Sequence, residues 1–377
     1  MKVALVHDHL AQTGGAEKVL KVLADIFPEA AIYTLLADKV KTDTYLKGRR
    51  LDTSIIQKLP GGISHYKWYL PLMPMAVEFF DLSEYDLVIS DTSSFAKGVI
   101  TLPDVPHICY CHTPTRYLWS DTHSYLNELK YNKWLKKIIG RILVRMRQWD
   151  FLAASRVDYF IANSKTVARR ISKYYRRESQ VIYPPVEVDS FFISDLSAQA
   201  PSERYFLAGC RLVPYKRIDL VVEAFKDLGP EYRLKIFGTG IDLARLQKIA
   251  AGSENIEFLG QVTEDQKAVY YSRAQAFINP QEEDFGITPL ESMSSGRPVI
   301  AYRKGGATET VKEGETGLFF DEQTPASLKE VLKSFKAENF NPEEIRAYAE
   351  SFSVARFTSE IKALVDSVMS KNHENSR

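Results

Sequence analysis

Glu283 and Glu291 stand eight positions apart in "EEDFGITPLESMSSGRPVIA" (282–301), on either side of a Phe-Gly pair. Two carboxylates in one short stretch can work as acid and base, or as acceptors for paired hydroxyls of a polyol such as a ribose. Glu283 follows the apolar run "FINP" and has no partner in the local sequence beyond its acidic neighbours, so a solvated loop acid is its plain alternative. Glu291 lies three residues past Thr288, which with Pro289 reads as a helix start, so a capping box is the structural alternative there. Between them, Phe285-Gly286-Ile287 offers main-chain N–H groups at a helix N-terminus, where oxygen-rich or anionic ligands are favoured. Upstream, "GCRLVPYKRIDLVVEAF" (209–225) carries Arg211 and Lys216 in a loop between a strand and an amphipathic helix. A guanidinium fork and a mobile ammonium together suit a diphosphate, although either alone reads as surface charge. Gly14-Gly15 precedes a helix at the end of the first strand and can admit phosphate oxygens close to the backbone. It lacks the three spaced glycines of a dinucleotide fingerprint.

"HICYCHTPTRYLW" (107–119) places His107, Cys109 and Cys111 on one strand face, but their spacing fits no common zinc pattern, and no metal site is expected. His112 differs, because it leaves the strand into a loop with Arg116, Tyr117 and Trp119, side chains that bind polar ligands or stack on sugars. Asp284-Phe285-Gly286 stands without the other loops of a kinase. Residues 130–147, "KYNKWLKKIIGRILVRMR", hold seven Lys or Arg and no acid, interleaved with apolar residues. That pattern suits either an anionic membrane surface or an apolar stripe packed on the core, and "YLPLMPMAVEFF" (69–80) adds a second apolar surface.

The elements that must position these residues alternate short apolar strands with amphipathic helices. Strands are expected at 2–7, 85–90, 107–112 and 158–163, then again at 204–209, 233–238, 255–260, 275–280 and 298–302. This βαβ alternation predicts parallel sheets covered on both faces. The rhythm breaks over 183–202, so two Rossmann-like, doubly wound α/β domains are expected: 1–185, a linker at 186–202, and 203–352, with 353–377 closing the chain. At 377 residues the chain is long enough for two cores. Ligands of such sheets sit outside the carboxyl ends of the strands, so the candidate residues are expected to border one central cleft. With 49 basic and 48 acidic residues, no global field marks a nucleic-acid binder. The three cysteines and the absence of a long apolar run at "MKVALVHDHL" fit a cytoplasmic protein that touches a membrane at most peripherally.

Together, the opening strand with Gly14-Gly15, "GCRLVPYK", "IFGTG" and the E-x(7)-E from Glu283 to Glu291 resemble, in order, the motifs of the retaining glycosyltransferases of family 4, of GT-B fold. "HICYCHTPTRYLW" and "YDLVISDTSSFAKGVI" are similar, more narrowly, to bacterial O-antigen and exopolysaccharide mannosyltransferases, the WbaZ-like group. The resemblance implies a nucleotide-sugar donor, GDP-mannose in that subgroup, and a glycan acceptor linked to a polyprenyl diphosphate. It implies that Arg211 and Lys216 hold the diphosphate, with Gly14 and Gly15 lending main-chain N–H groups. Glu291 would bind the ribose and Glu283 the transferred sugar, beside main-chain donors of Phe285, Gly286 and Ile287. Gly238, Gly240 and Val262 would flank the base, His112 would contact the sugar near the reacting carbon, and His9 and Arg116 would meet the acceptor. The final segment would form two helices, the last crossing back to the first domain, with the tail "KNHENSR" frayed.

The chemistry agrees. Cleaving a glycosyl–phosphate bond demands charge stabilisation on the departing diphosphate, which two cations and a helix N-terminus can supply without a metal. The sequence has no D-x-D motif, and no carboxylate stands out as a nucleophile. A nucleotide-sugar 2-epimerase, which shares the fold and a nucleotide cleft, and a non-catalytic nucleotide-sugar-binding protein are the alternatives.

Overall fold

The computed structural model describes every residue except Thr13, Thr44, Lys130, Ala198, Pro201, Ser202, Ser376 and Arg377, and the backbone alone of Glu128, His373 and Asn375. The chain divides into two units, Met1–Pro185 with Phe357–Arg377, and Val186–Arg356.

The first unit is built on a parallel sheet of seven strands: β1 (Val3–His7), β2 (Ala31–Thr34), β3 (Leu51–Thr53), β4 (Leu87–Thr92), β5 (His107–Cys111), β6 (Tyr159–Ala162) and β7 (Gln180–Val181). Their order is β3-β2-β1-β4-β5-β6-β7. All five residues of β1 are buried, as expected when helices cover both faces of a parallel sheet. The order reverses between β1 and β4, the point where ligand crevices form in doubly wound sheets. β4 runs two residues further than its apolar pattern suggests. Asp91 and Thr92 continue the ladder, which places Asp91 opposite His7 and Thr92 opposite Cys111.

A buried ion pair ties the loops of this unit together. Asp150, on the helix Lys133–Ser155, accepts from Lys97 Nζ at 2.5 Å, Thr115 Oγ1 at 2.8 Å, Trp119 Nε1 at 2.7 Å and the Tyr175 hydroxyl at 2.9 Å. Burial works against the Lys97 charge, but Asp150 outweighs it and raises the ammonium above its ordinary range. The same helix carries most of the basic stretch, of which Lys130 lies outside the described residues. Its later turns bury Leu143, Met146, Ala153 and Ala154, whereas Trp134, Leu135 and Ile138 in its first turns are exposed, Trp134 by 79%. In the 69–80 stretch, Met73, Ala76 and Val77 pack inward, while Leu72, Met75 and Phe79 are exposed. Among the described residues, no helix is long and apolar enough to cross a membrane.

The second unit carries six parallel strands: β8 (Phe206–Gly209), β9 (Leu234–Phe237), β10 (Ile256–Gly260), β11 (Phe277–Asn279), β12 (Val299–Tyr302) and β13 (Gly317–Phe320), in the order β10-β9-β8-β11-β12-β13. Its order reverses between β8 and β11. Residues 186–202 count with this unit, three of them outside the described residues. Arg346 donates to the carbonyls of Phe191 and Val188, and Val186 N–H to that of Phe352, so the segment is hydrogen-bonded to its own domain. Two helices close the chain, Pro342–Glu350 and Val354–Asn375. The tail expected to fray is helical through Asn375, and its last two residues lie outside the described ones.

Replacing Lys97 by Met would leave Asp150 as an uncompensated buried charge, a change worth about 3–5 kcal/mol. Urea titration of the wild type and Lys97→Met should show a loss of that order. A loss below about 1 kcal/mol would mean the pair behaves as a surface ion pair.

Candidate functional site

In the second unit the site grows from the loops at the carboxyl ends of β8, β9 and β11. The chain leaves β8 through Cys210 and Arg211 and forms a short 3-10 turn, Pro214–Lys216, before the helix Ile218–Lys226. Arg217 joins the two in the left-handed region at φ 54°, an uncommon state for a residue with a Cβ, next to the lysine that does the pairing. The β8 and β9 loops approach each other backbone to backbone. A Cβ at Gly238 (φ 111°) would lie 1.9 Å from the Cys210 carbonyl oxygen, and one at Gly240 2.0 Å from that of Leu212. These two glycines therefore have a packing reason for being there, whatever they do for a base.

Lys216 Nζ donates to Glu283 Oε1. Glu283 Oε2 is buried and has no hydrogen-bond partner among the described residues. Burial disfavours the Lys216 charge, yet the neighbouring Glu283 carboxylate prevails and raises the ammonium's pKa, so the lysine stays charged. The Cys210 thiol beside them is pushed up to about 12 by burial and keeps its proton. A carboxylate with one oxygen on an ammonium and the other buried and open is an acceptor for a hydroxyl. Arg211 is exposed, and its Nη2 donates to the Tyr215 hydroxyl at 2.9 Å.

The turn that follows decides the reading of Glu291. Gly286 sits at φ 92°, where a Cβ would come within 2.8 Å of Glu283 Oε2. This turn starts the helix Ile287–Ser294 ahead of Thr288, with no side-chain cap. The expected capping box is thus absent, because the Gly286 turn, not the Thr-Pro pair, sets the helix start. Glu291, 2% exposed, instead accepts from Lys267 Nζ at 3.1 Å and the Tyr271 hydroxyl at 3.3 Å. Lys267 and Tyr271 were not singled out in the sequence. Their spacing of four on the helix Glu264–Arg273, one face of a helix, is the signal that could have found them. Val262 is half-buried just before Thr263, whose reciprocal capping box with Gln266 starts that helix. Phe285 is buried, its ring 6.1 Å from that of Phe352.

In the first unit, Asp91 takes His7 Nδ1 at 2.9 Å on one oxygen and His112 Nε2 at 2.6 Å on the other. Burial alone would lower the His7 pKa. The hydrogen bond and charge of Asp91, with the charges of Glu17 and Asp8, carry it up to about 9. Asp91 is also desolvated, but the two histidines hold it below the usual carboxylate range. Asp8, next along the chain from β1, binds Thr92 Oγ1 at 2.9 Å and the N–H groups of Ser93, Phe95 and Ala96 at 2.7–2.8 Å. His7, Asp8, Asp91 and Asp150 were also unmarked in the sequence; polar residues at the ends of apolar runs, "VALVHD" and "LVISDT", were the available signal.

The remaining residues separate. Gly14 is extended at φ −158° and Gly15 opens the helix Gly15–Ile26. The His9 ring lies 5.1 Å from the Tyr66 ring, its Nδ1 buried without a hydrogen-bond partner among the described residues, and desolvation lowers its pKa. Arg116 Nε donates to Asp121 at 2.7 Å, and the Tyr117 ring lies 5.4 Å from Tyr125. Trp119 donates its indole N–H to Asp150 at 2.7 Å, and its ring stacks on Tyr174 at 5.1 Å. His107 Nε2 pairs with Ser90 at 2.8 Å, and Cys109 and Cys111 pack among Ala154, Val157 and Phe160.

Models of two families match the chain: Glycosyltransferase Family 4 over residues 13–190 and Glycosyl transferases group 1 over residues 193–352. The chain belongs to the GT-B glycosyltransferases of this group. Solved structures of that fold align along nearly its whole length. Anabaena HepE in complex with UDP-glucose aligns with a TM-score of 0.73 at 18% identity, over 97% of this chain and 100% of that one. A sucrose-phosphate synthase from Thermosynechococcus elongatus aligns at 0.76 and 16% identity, over 98% and 100%. Among curated relatives, an uncharacterized glycosyltransferase of Methanocaldococcus jannaschii is 27% identical over 54% of this chain and 55% of its own length. An alpha-1,3/1,6-mannosyltransferase of Rhizomucor pusillus is 25% identical over 68% and 65%. The match therefore spans less than two-thirds of these two relatives' lengths. Sequence-based expectation and fold agree on two Rossmann-like α/β domains of GT-B architecture.

His7 gives this GT-B chain a pH signature. Its imidazole titrates near 6.5 when unfolded and near 9 when folded, so its contribution is complete below pH 6.5 and is lost as pH rises through 9. The span corresponds to roughly 3 kcal/mol. Denaturant melts from pH 6 to 10 should show this decline in the wild type and a flatter profile in His7→Gln. Equal slopes would contradict the buried pair.

Proposed function

We propose that this chain is a retaining glycosyltransferase that moves a hexose, mannose from GDP-mannose, onto a polyprenyl-diphosphate-linked glycan in bacterial polysaccharide synthesis. The observation that carries the reading is the Lys216–Glu283 pair, which sets a cation and an open, buried carboxylate oxygen at the carboxyl ends of β8 and β11. In this reading Lys216 and Arg211 bind the diphosphate and stabilise it as it leaves, with Gly14 and Gly15 adding main-chain donors. Glu283 accepts from a hydroxyl of the transferred sugar, helped by main-chain groups of Phe285, Gly286 and Ile287. Glu291, oriented by Lys267 and Tyr271, takes the ribose hydroxyls. Gly238, Gly240 and Val262 border the base. His112 contacts the sugar, and His9, Arg116 and Tyr117 contact the acceptor.

Mannose is favoured by the resemblance of 107–119 and 85–100 to mannosyltransferases and by the mannosyltransferase among the relatives. A UDP-sugar donor is the second reading, favoured by the UDP-glucose that HepE binds. The two cations supply the charge that a metal provides elsewhere, so turnover is expected to survive chelation. The exposed Trp134, Leu135 and Ile138 beside Lys133, Lys137, Arg141 and Arg145 support a peripheral contact with an anionic membrane on the cytoplasmic side.

The test is a transfer assay with GDP-mannose and UDP-glucose on a polyprenyl-diphosphate-linked glycan, with EDTA present, and the product anomer read by NMR. An α-linked mannosyl product, reduced at least about a hundredfold in Lys216→Met and Glu283→Gln, is expected. Free epimerised nucleotide sugar would favour the epimerase, and donor binding without any product would favour a binding protein. Co-sedimentation with phosphatidylglycerol vesicles should fall in Trp134→Ser; unchanged binding would remove the membrane contact from this face.

A further inference from the structure

His112 does not stand alone. Its Nε2 meets an Asp91 whose other oxygen is already taken by His7, and Asp91 itself has no exposed surface. His7 is also buried, at 3% exposed, so it is out of reach of any ligand. We propose that His7 and Asp91 are positioning residues, a buried pair that fixes the ring orientation and tautomer of His112 so that Nδ1 is the atom offered to the transferred sugar. This rests on the reading that His112 contacts that sugar.

An ionised carboxylate only accepts hydrogen bonds, so the two ring nitrogens facing Asp91 must both donate. His112 Nε2 therefore carries its proton toward Asp91. In the neutral ring Nδ1 is left as a lone pair, suited to accept from a hydroxyl. The scaffold enforces this arrangement from three strands. β1 and β4 pair His7 with Asp91 in register, and the His112 N–H bonds the Thr92 carbonyl at 2.9 Å, next to Asp91. The Tyr110 ring, 5.2 Å away, packs edge-on against the His112 imidazole.

A buried carboxylate is costly to keep ionised without compensation, and His7 supplies positive charge beside it. The groups that face His7 support that charge: Asp91 on β4, Glu17 on the helix Gly15–Ile26 with its Oε1 4.0 Å from His7 Nε2, and Asp8 along its own strand. His9, two residues on, is held low by desolvation and does not compete for the proton. The pair is thus organised as cation, anion and directed imidazole. A histidine that merely filled space at a strand end would need none of this.

The test is long-range 1H–15N correlation NMR of the full chain with 15N-labelled histidine, the His112 signals assigned by their loss in His112→Gln. In the wild type a single Nε2–H tautomer is expected for His112, and its signals should shift again with the midpoint at which His7 titrates. Asp91→Asn should convert His112 to averaged tautomers. If that variant does not fold, the wild-type tautomer and its coupling to the His7 midpoint decide the question. Averaged tautomers, an Nδ1–H form, or signals indifferent to both Asp91→Asn and the His7 titration would overturn the positioning role. Addition of GDP-mannose or UDP-glucose separates the underlying reading. A locked tautomer whose Nδ1 moves on donor binding supports the proposal in full. A locked tautomer indifferent to either donor, under conditions where calorimetry shows the donor bound, would overturn the sugar contact and with it the purpose assigned to the pair.

Discussion

A carboxylate buried at the end of a parallel strand must be given a partner, and this requirement organises both units. Desolvating an anion costs several kcal/mol unless a cation or several hydrogen bonds compensate it. Five of the buried or half-buried acids described above meet the requirement in different ways. Asp8 takes main-chain N–H groups and pins the loop after β4. Asp150 takes Lys97 and three neutral donors, joining a helix to the 115–119 loop. Asp91 takes two histidines. Glu291 takes a lysine and a tyrosine, and Glu283 takes a lysine on one oxygen only.

That last difference sets Glu283 apart. Four of the acids have partners for both oxygens, and their neighbours are accordingly fixed. Glu283 keeps one oxygen unmatched while its lysine, charged and close by, offsets the anion. The same ammonium is a counter-ion for the carboxylate and, in the proposed reading, a binding group for phosphate. A ligand carrying both a hydroxyl and a diphosphate can satisfy the pair better than the pair satisfies itself. A nucleotide sugar is such a ligand.

Much of this was legible in the chain. The strands with continuous apolar runs, such as "VALVH", were visible because both faces of a parallel sheet are covered. β2, β3, β7 and β13 were not among the strands expected from the sequence. Arg211, Lys216, Glu283 and Glu291 were legible by type and spacing. Their partners were not: Lys267 and Tyr271 approach Glu291 only through tertiary packing. Asp91 lay just past the strand expected at 85–90, because nothing local reveals that the strand continues into the ladder opposite His7. The capping box offered as the alternative for Glu291 does not form for a related reason, as a positive φ at Gly286 outranks a Thr-Pro pair in setting where a helix begins. The basic stretch escaped a single reading because one helix serves two environments, Trp134 in solvent and Met146 in the core.

The central claim is that the Lys216–Glu283 pair and Glu291 form a nucleotide-sugar site. Calorimetric titration of the wild-type protein with GDP, UDP, GDP-mannose and UDP-glucose tests it most directly, with Lys216→Met and Glu291→Gln alongside. The account predicts one base bound selectively, at least about tenfold weaker binding of its diphosphate in both variants, and a further gain from the sugar that Glu283→Gln removes. Equal binding by wild type and variants, or no binding of any of the four, would contradict it.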